Sequence, residues 1–229
     1  MADDGVHGSA SLLRRAYDAI WAPIFAPLYD ITILPTEFAG TAEIRRDVLA
    51  PAAGRVVEVG AGTGRNVARY PSAVTELVVT EPDASMVKRL RRRARAAAGD
   101  GRRSLEVIQA PGERLPFDDA SFDAAAFTMV LCTAPDPDAV LAEIARVLKP
   151  GGRLLFFEHV RSPNRLLARI QDACAGGWRV FARGCRCNQD ALAIFERSPL
   201  ELEEAREGSL PWNFPLVRPM VRGSARRAA

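Results

Sequence analysis

This sequence predicts an α/β fold on a mostly parallel, doubly wound sheet. Three observations carry that prediction. Short apolar runs alternate with amphipathic helical segments over residues 55–159, joined by short links. The first apolar run, Val56-Val57-Glu58-Val59, feeds directly into Gly60-Ala61-Gly62-Thr63-Gly64. The second, Thr75 to Glu81, ends on a carboxylate. A glycine turn after one strand and an acid after the next mark the ligand-binding edge of such a sheet.

Residues 1–10 are expected to be disordered, and 11–18 to begin a short helix with Ser11 as its N-cap. The segment 21–38 is aromatic and interrupted by Pro23, Pro27 and Pro35. Thr41 then caps the helix AEIRRDVLA, which stops before Pro51 and Gly54. Strands are predicted at 55–59, 77–80, 104–109, 122–128 and 153–159, and helices at 66–70, 84–98 and 138–148. Asp136 and Asp138 flank Pro137 as caps of the last of these helices. Asp118, Asp119 and Asp123 belong to the turn before the fourth strand and read as structural. Leu148-Lys149-Pro150-Gly151-Gly152 is a helix stop and a turn into the next strand.

After His159 the rhythm breaks. Residues 162–181 read as a covering helix, Asn188 as the cap of another helix to about 196, and 200–208 with 216–223 as a closing antiparallel pair. A chain of 229 residues fits one domain with a full hydrophobic core. Its plan is a lid over 11–40, a ligand-binding core over 41–160, a covering insertion over 161–199 and closing strands over 200–229.

A hydrophobic fraction of 48% and a charged fraction of 26% belong to an ordinary soluble globule. The formal net charge of +3 is mild, and Lys88 and Lys149 are the only lysines, so nucleic acid is not expected as a partner. The basic run from Lys88 to Arg95 lacks interleaved aromatics and reads as the solvated face of a helix. Cys132, Cys174, Cys185 and Cys187 form no C-x-x-C pair, and His7 and His159 lie far from them in sequence. Free thiols, no metal and a cytoplasmic location are therefore expected. No apolar stretch reaches the length of a membrane span. Residues 21–35, preceded by Arg14 and Arg15, suit at most a peripheral membrane contact.

Dinucleotide enzymes favour G-x-G-x-x-G. Here the pattern is E-x-G-x-G-x-G from Glu58 to Gly64, and Glu81 is placed to grip two ribose hydroxyls, which points to an adenosine-type cofactor. A helix starting near Arg65 would aim its N–H groups and positive dipole end at a ligand anion.

The segments VVEVGAGTGRN, VVTEPDASM, APGERLPFDDASFDAAAFTMVLCTAPDP and ARVLKPGGRLLFFEHV stand in that order. Together they resemble the core of class I S-adenosylmethionine-dependent methyltransferases, including the quinone-biosynthesis C-methyltransferases. GTGRN, TMVLCT, FFEHV, the segment holding Trp178 and Asn188, and the ending PLVRPMVRG are similar to the animal microsomal alkyl thiol methyltransferases and their bacterial relatives. The likeness covers residues 38–223. It implies a Rossmann-like seven-stranded methyltransferase sheet, mostly parallel with an antiparallel last strand and helices on both faces. It also implies S-adenosyl-L-methionine as cofactor, S-adenosyl-L-homocysteine as its product and a small-molecule acceptor.

By that resemblance Glu58, Gly60, Gly62, Gly64 and Asn66 belong to the loop under the methionine and ribose, Glu81 is the ribose acid and Pro82 lies beside the adenine. Gly112 and Glu113 match the turn against the adenine edge, and Thr128 and Met129 the strand end beneath the sulfonium. Where many relatives have an aspartate that bonds the adenine amine, this chain has Pro111, so a backbone group of Gly112 or Glu113 is expected there. The long apolar N-terminal anchor of the animal enzymes is not matched by the short segment at Trp21.

Methyl transfer from a sulfonium is an in-line displacement, so alignment is the main requirement. Tyr17, Trp21, Phe25 and Tyr29 supply aromatic faces for a lid over the cation, with Tyr29 and Tyr17 favoured, and Trp178 and Cys132 are further candidates at the acceptor. An alcohol acceptor needs a base, whereas a thiol, with a pKa of about 8.5, needs little help. His159, at the end of a strand, is the leading base. The resemblance to the alkyl thiol methyltransferases, with the sparse supply of bases, favours thiol sulfur over nitrogen or oxygen as the acceptor. Carbon methylation of a quinone-type precursor and a non-catalytic cofactor-binding scaffold are the alternatives. The oligomeric state stays open.

Overall fold

The computed structural model describes residues 4–97 and 103–228, with side chains at Tyr17 and from Ala19 onward. The strands are β1 (Gly54–Glu58), β2 (Val74–Thr80), β3 (Ser104–Ile108), β4 (Phe122–Thr128), β5 (Leu148–His159), β6 (Leu200–Ser209) and β7 (Pro219–Arg227). They form one seven-stranded sheet in the order β3-β2-β1-β4-β5-β7-β6. Pairing is parallel from β3 through to β5, and β7 lies antiparallel between β5 and β6. This is the seven-stranded, mostly parallel Rossmann-like sheet expected of the sequence.

The helices are α1 (Asp4–Thr36), α2 (Ala42–Leu49), α3 (Ala84–Ala97), α4 (Pro137–Val147), α5 (Arg165–Phe181) and α6 (Ala191–Arg197). The strand period of two sorts side chains to opposite faces. Val57, Ala125, Phe127 and Phe156 join the core beneath α4 and α6, with the Phe156 and Phe195 rings 4.3 Å apart. Val56, Ala124, Ala126 and Phe157 join the core beneath α2 and α3. Because β1 neighbours both β2 and β4, the winding reverses there, and a cleft opens beyond the carboxyl ends of those strands.

Several boundaries differ from expectation for local reasons. α1 is one helix from Asp4, not a short helix capped at Ser11, and it continues through Pro23, Pro27 and Pro35. Residues 4–10 are thus helical; 1–3 lie outside the described residues. A five-residue wide turn, Glu37–Thr41, follows, with Gly40 at φ 127°, so Thr41 makes no side-chain capping bond to α2. Only one 3-10 turn, Val67–Arg69, stands where a helix was expected after the glycine loop. β5 starts at Leu148, because its first residue pairs with Phe122 before the register shifts. Asp190, not Asn188, caps α6 by accepting from the Ala193 N–H, while Asn188 donates to Asp172. Asp136 caps α4 as expected, accepting from the Ala139 N–H.

By length and composition, the stretch Ala19–Leu49 is apolar enough to cross a membrane. The proline-broken segment of the sequence had suggested otherwise. Asp30, Glu37 and Arg45 within it are instead drawn into contacts with the domain, described below.

Candidate functional site

The glycine loop sits at the reversal point. Gly60, at φ 65°, passes so close to Val130 that a Cβ there would lie 2.6 Å from it. Gly62, at φ 56°, would aim a Cβ into open space instead. The loop is pinned to β2 twice: the Ala61 N–H donates to the Thr80 carbonyl at 2.8 Å, and the Gly62 N–H donates to the Glu81 carboxylate at 2.9 Å. Glu81 also accepts from the Asp83 N–H at 3.0 Å. Burial raises the Glu81 pKa, with both backbone N–H groups opposing.

A cavity of about 550 Å³ opens over this loop. Of the sequence-predicted cofactor residues, Gly60, Gly62, Asn66, Glu81, Pro82, Gly112, Glu113, Thr128 and Met129 line it. Glu58 and Gly64 lie behind it. Glu58 is buried, accepting from Asn66 Nδ2 and from the Tyr70 hydroxyl, both at 2.9 Å. Burial pushes its pKa up to about 7. Gly64 packs on Leu90, so its glycine serves packing. Met129 has φ 59°, a left-handed turn at the end of β4 held by its N–H to the Phe157 carbonyl at 2.8 Å.

Sequence reasoning missed the charged residues that fasten α1. Asp30 of α1 accepts from the Thr63 hydroxyl at 2.8 Å and pairs with Arg65, Arg89 and Arg93 at 3.0–3.2 Å. Arg89 and Arg93 stand four residues apart on one face of α3, so the basic run is not a solvated face throughout. Lys88, Arg91, Arg92 and Arg95 do face solvent. Beneath the cavity, Arg45 is buried over the Phe157 ring. It bonds Glu37 at 2.8 Å, Asn66 at 3.1 Å and Thr128 at 2.7 Å.

α1 and α5 supply the other wall. Of the aromatic residues singled out in the sequence, Phe25, Tyr29 and Trp178 line the cavity, joined by Phe181 and Phe214. Tyr17 and Trp21 do not line it. The Tyr17 hydroxyl donates to the Val180 carbonyl and Trp21 Nε1 to the Phe181 carbonyl at 3.1 Å, so both clasp α1 to α5. Burial raises the Tyr29 phenol pKa, so the hydroxyl stays protonated near neutral pH and keeps its proton to donate.

His159 and Cys132 line the same cavity, and so does Cys185. His159 Nε2 lies 3.1 Å from Cys185 Sγ, which also accepts from Trp178 Nε1 at 3.2 Å. The hydrogen bond from Cys132, then the His159 charge, holds the Cys185 thiol below its ordinary pKa, and Cys132 is raised in turn. Burial works to lower the His159 pKa, but the Cys185 charge, the hydrogen bond to Cys185 and the Glu158 charge together outweigh it and the net direction is upward. His159 is thus engaged with a thiol and is not a free imidazole. The sequence spacing of these cysteines hid the cluster, since Cys132 follows β4 and Cys185 follows α5.

Comparison with known proteins agrees with this geometry. A methyltransferase domain family matches residues 57–156. The thiol S-methyltransferase TMT1B of Rattus norvegicus is 30% identical over 173 residues, covering 74% of this chain and 69% of that protein. This chain belongs to the class I S-adenosylmethionine-dependent methyltransferases. The ubiquinone/menaquinone biosynthesis C-methyltransferase of Pseudomonas putida is 36% identical to this methyltransferase over 124 residues, covering 52% of this chain and 47% of that one. A solved structure of a possible histamine N-methyltransferase from Thermotoga maritima shares the fold, with a TM-score of 0.66 at 22% identity over 90% of this chain and 97% of that one. A geranyl diphosphate methyltransferase in complex with S-adenosylmethionine gives 0.62 at 16% identity, over 83% and 85%.

S-adenosylmethionine is the methyl donor of this methyltransferase. The residues present fit it. The space beside Gly62 is one that any side chain would fill, and the Glu81 carboxylate is fixed at the cavity wall next to it. Phe25, Tyr29 and Trp178 offer π-faces to a cation in the same cavity.

Proposed function

We propose that this methyltransferase methylates the sulfur of a small-molecule thiol. S-adenosylmethionine, when bound, supplies an electrophilic methyl group on a sulfonium. In our reading Gly60, Gly62, Asn66 and Glu81 hold its methionine and ribose portions, and Pro82, Gly112 and Glu113 its adenine. Thr128 and Met129 form the floor beneath the reacting centre. Tyr29 donates a hydrogen bond and, with Phe25 and Trp178, excludes water and orients the acceptor.

One observation carries the choice of sulfur. The carboxylates lining the cavity, Glu81, Asp83 and Glu113, all come from the loops after β2 and β3. The opposite wall offers aromatic rings, Cys132, Cys185 and His159, with His159 already engaged by Cys185. An alcohol would find no free base on that wall. A thiol, ionised to a few per cent at neutral pH, needs none. The likeness to thiol S-methyltransferases supports the same choice.

Labelled S-adenosylmethionine offered with alkyl thiols, phenols, amines and a quinone-type precursor tests this reading. A labelled thioether, identified by mass, is the expected product. Transfer confined to oxygen, nitrogen or carbon overturns it, and transfer to carbon would favour the shorter likeness to the quinone-biosynthesis enzyme.

Our reading also places the enzyme in the cytoplasm, with α1 able to rest on a membrane surface. Ile20, Ile24, Ile31 and Leu34 are exposed along α1, an apolar surface suited to the headgroup–acyl boundary. Co-sedimentation with lipid vesicles, lost when Ile24 and Ile31 become Ser, is the expected behaviour; equal sedimentation of both proteins removes this part of the reading.

A further inference from the structure

We infer that Cys132, His159 and Cys185 form a three-ligand site for a zinc-class divalent metal ion, with its fourth position open to the cavity. One donor atom from each residue lies within 4.8 Å of the other two, and all three residues are buried. In a tetrahedral site with Zn–S of 2.3 Å and Zn–N near 2.0 Å, donor atoms stand about 3.5–3.8 Å apart. The His159 Nε2 to Cys185 Sγ separation of 3.1 Å needs only a few tenths of an ångström of expansion to reach that spacing. Two thiolates and an imidazole are a soft set, suited to zinc.

The scaffold holds each donor from a different element. His159 ends β5, paired with Met220 of β7. The Cys132 carbonyl accepts from the Arg186 N–H at 2.8 Å, which brings the segment after α5 against the end of β4. Trp178 Nε1 donates to Cys185 Sγ at 3.2 Å, an outer contact that orients a thiolate ligand. Among the described residues no fourth donor joins the group. Cys187, although only two residues from Cys185, turns its Sγ to the Gln171 carbonyl at 3.6 Å. Three protein ligands with one position open is the arrangement of a reactive zinc site; structural sites are closed by a fourth.

The open position faces the cavity that Gly60 and Gly62 also line. Its occupant, which rests on the thiol reading above, is the acceptor sulfur. On ligation the thiol loses its proton to solvent. The methyl group then passes to an anionic sulfur, the sulfonium takes up the electron pair of the breaking S–CH3 bond, and one proton is released per thioether formed. The metal changes no oxidation state.

Cobalt(II) titration of the reduced, chelator-treated protein tests the site without turnover. One equivalent per chain should produce a thiolate-to-cobalt charge-transfer band and tetrahedral d–d bands, and one equivalent of zinc should displace them. Cys132→Ser and Cys185→Ser should each weaken binding at least tenfold, whereas Cys174→Ser, exposed and outside the group, should bind as the parent does. Adding 2-mercaptoethanol should shift the d–d bands of the cobalt protein. Absence of the charge-transfer band in the parent overturns the site, as does parent-like affinity with a band of undiminished intensity in both serine variants, and unshifted d–d bands overturn the open position. S-adenosylhomocysteine binding, followed separately by calorimetry, keeps the two readings apart: if it fails, the methyl-transfer assignment falls whatever cobalt does.

Discussion

The Thr63 hydroxyl donates to the Asp30 carboxylate at 2.8 Å, which ties the N-terminal helix to the middle of the glycine loop. Arg65, Arg89 and Arg93 converge on the same carboxylate, and Arg93 also donates to the Thr63 carbonyl at 2.6 Å. The N-terminal helix, the glycine loop and α3 therefore share one acidic anchor. Asp30→Ala leaves three guanidinium groups facing one another without a counter-charge, a loss on the order of 2 kcal/mol for a partly buried cluster. Amide exchange over α1 should accelerate, and the dissociation constant for S-adenosylhomocysteine should rise about tenfold. Unchanged protection of α1 would show that the aromatic clasp at Tyr17 and Trp21 suffices.

Burial disfavours the Asp30 carboxylate, but Thr63 and Arg93 outweigh it and its pKa is lowered. The anchor is fully present above the ordinary carboxylate range and is lost as pH falls through the lowered value. Acid should therefore release α1 before the sheet unfolds. Fluorescence of Trp21, isolated by replacing Trp178 and Trp212 with Phe, against far-ultraviolet dichroism, followed below pH 5, should give two separated transitions and lose that separation when Asp30→Ala is added.

Gly62→Arg should fold and fail to bind cofactor. A Cβ at Gly62 meets nothing within 4 Å, so the fold loses only the left-handed backbone preference, about 1–2 kcal/mol. The arginine side chain would fill the space beside Glu81. Calorimetry with S-adenosylhomocysteine should be flat while the melting temperature falls by only a few degrees. A retained binding isotherm would displace the cofactor from this loop.

Glu58 predicts a pH dependence of opposite sign to that of Asp30. Its pKa is raised from 4.5 to about 7 by burial, against bonds from Tyr70 and Asn66. Between those values the folded protein holds a proton that the unfolded chain has released, so stability falls as pH rises from about 4.5 to 7 and is level above. The span is worth roughly 3 kcal/mol at 1.36 kcal/mol per pH unit. Glu158, raised to about 7 by burial as well, contributes to the same span, so Glu58→Gln should lessen the slope of that part of the urea-midpoint profile without abolishing it; a profile parallel to the parent's would remove Glu58 as a source.

Gly223 holds the sheet edge. A Cβ there would lie 1.8 Å from the Glu204 carbonyl oxygen, where β6 shifts register against β7. Backbone must move to admit it, so Gly223→Ala should cost about 3 kcal/mol in denaturant midpoint and loosen exchange along β6. A loss below 1 kcal/mol would mean that the edge yields freely.

Much of the fold was legible because strand periodicity and glycine turns are local signals. The paired valines, the acid-tipped second strand and the Pro-Gly-Gly stop each report their conformation within a few residues. Even the slips were local: Thr41 has the right side chain for a cap, but the wide turn at Gly40 leaves it no bond to make. The prolines of α1 read as breaks, yet the helix runs on through them, packed against the domain.

By itself the sequence determined the parallel sheet and the glycine turn with Glu81 across from it, and its likeness to the methyltransferases pointed to S-adenosylmethionine as the donor. Only the tertiary structure decided that Asp30 reaches Thr63, that Arg45 lies beneath Thr128, and that Cys132, His159 and Cys185 meet. The physical reason is distance along the chain. A turn or strand is specified by neighbours, whereas these groups lie on separate elements, and only the winding of the sheet and the closure of α1 and α5 over its edge bring them within reach.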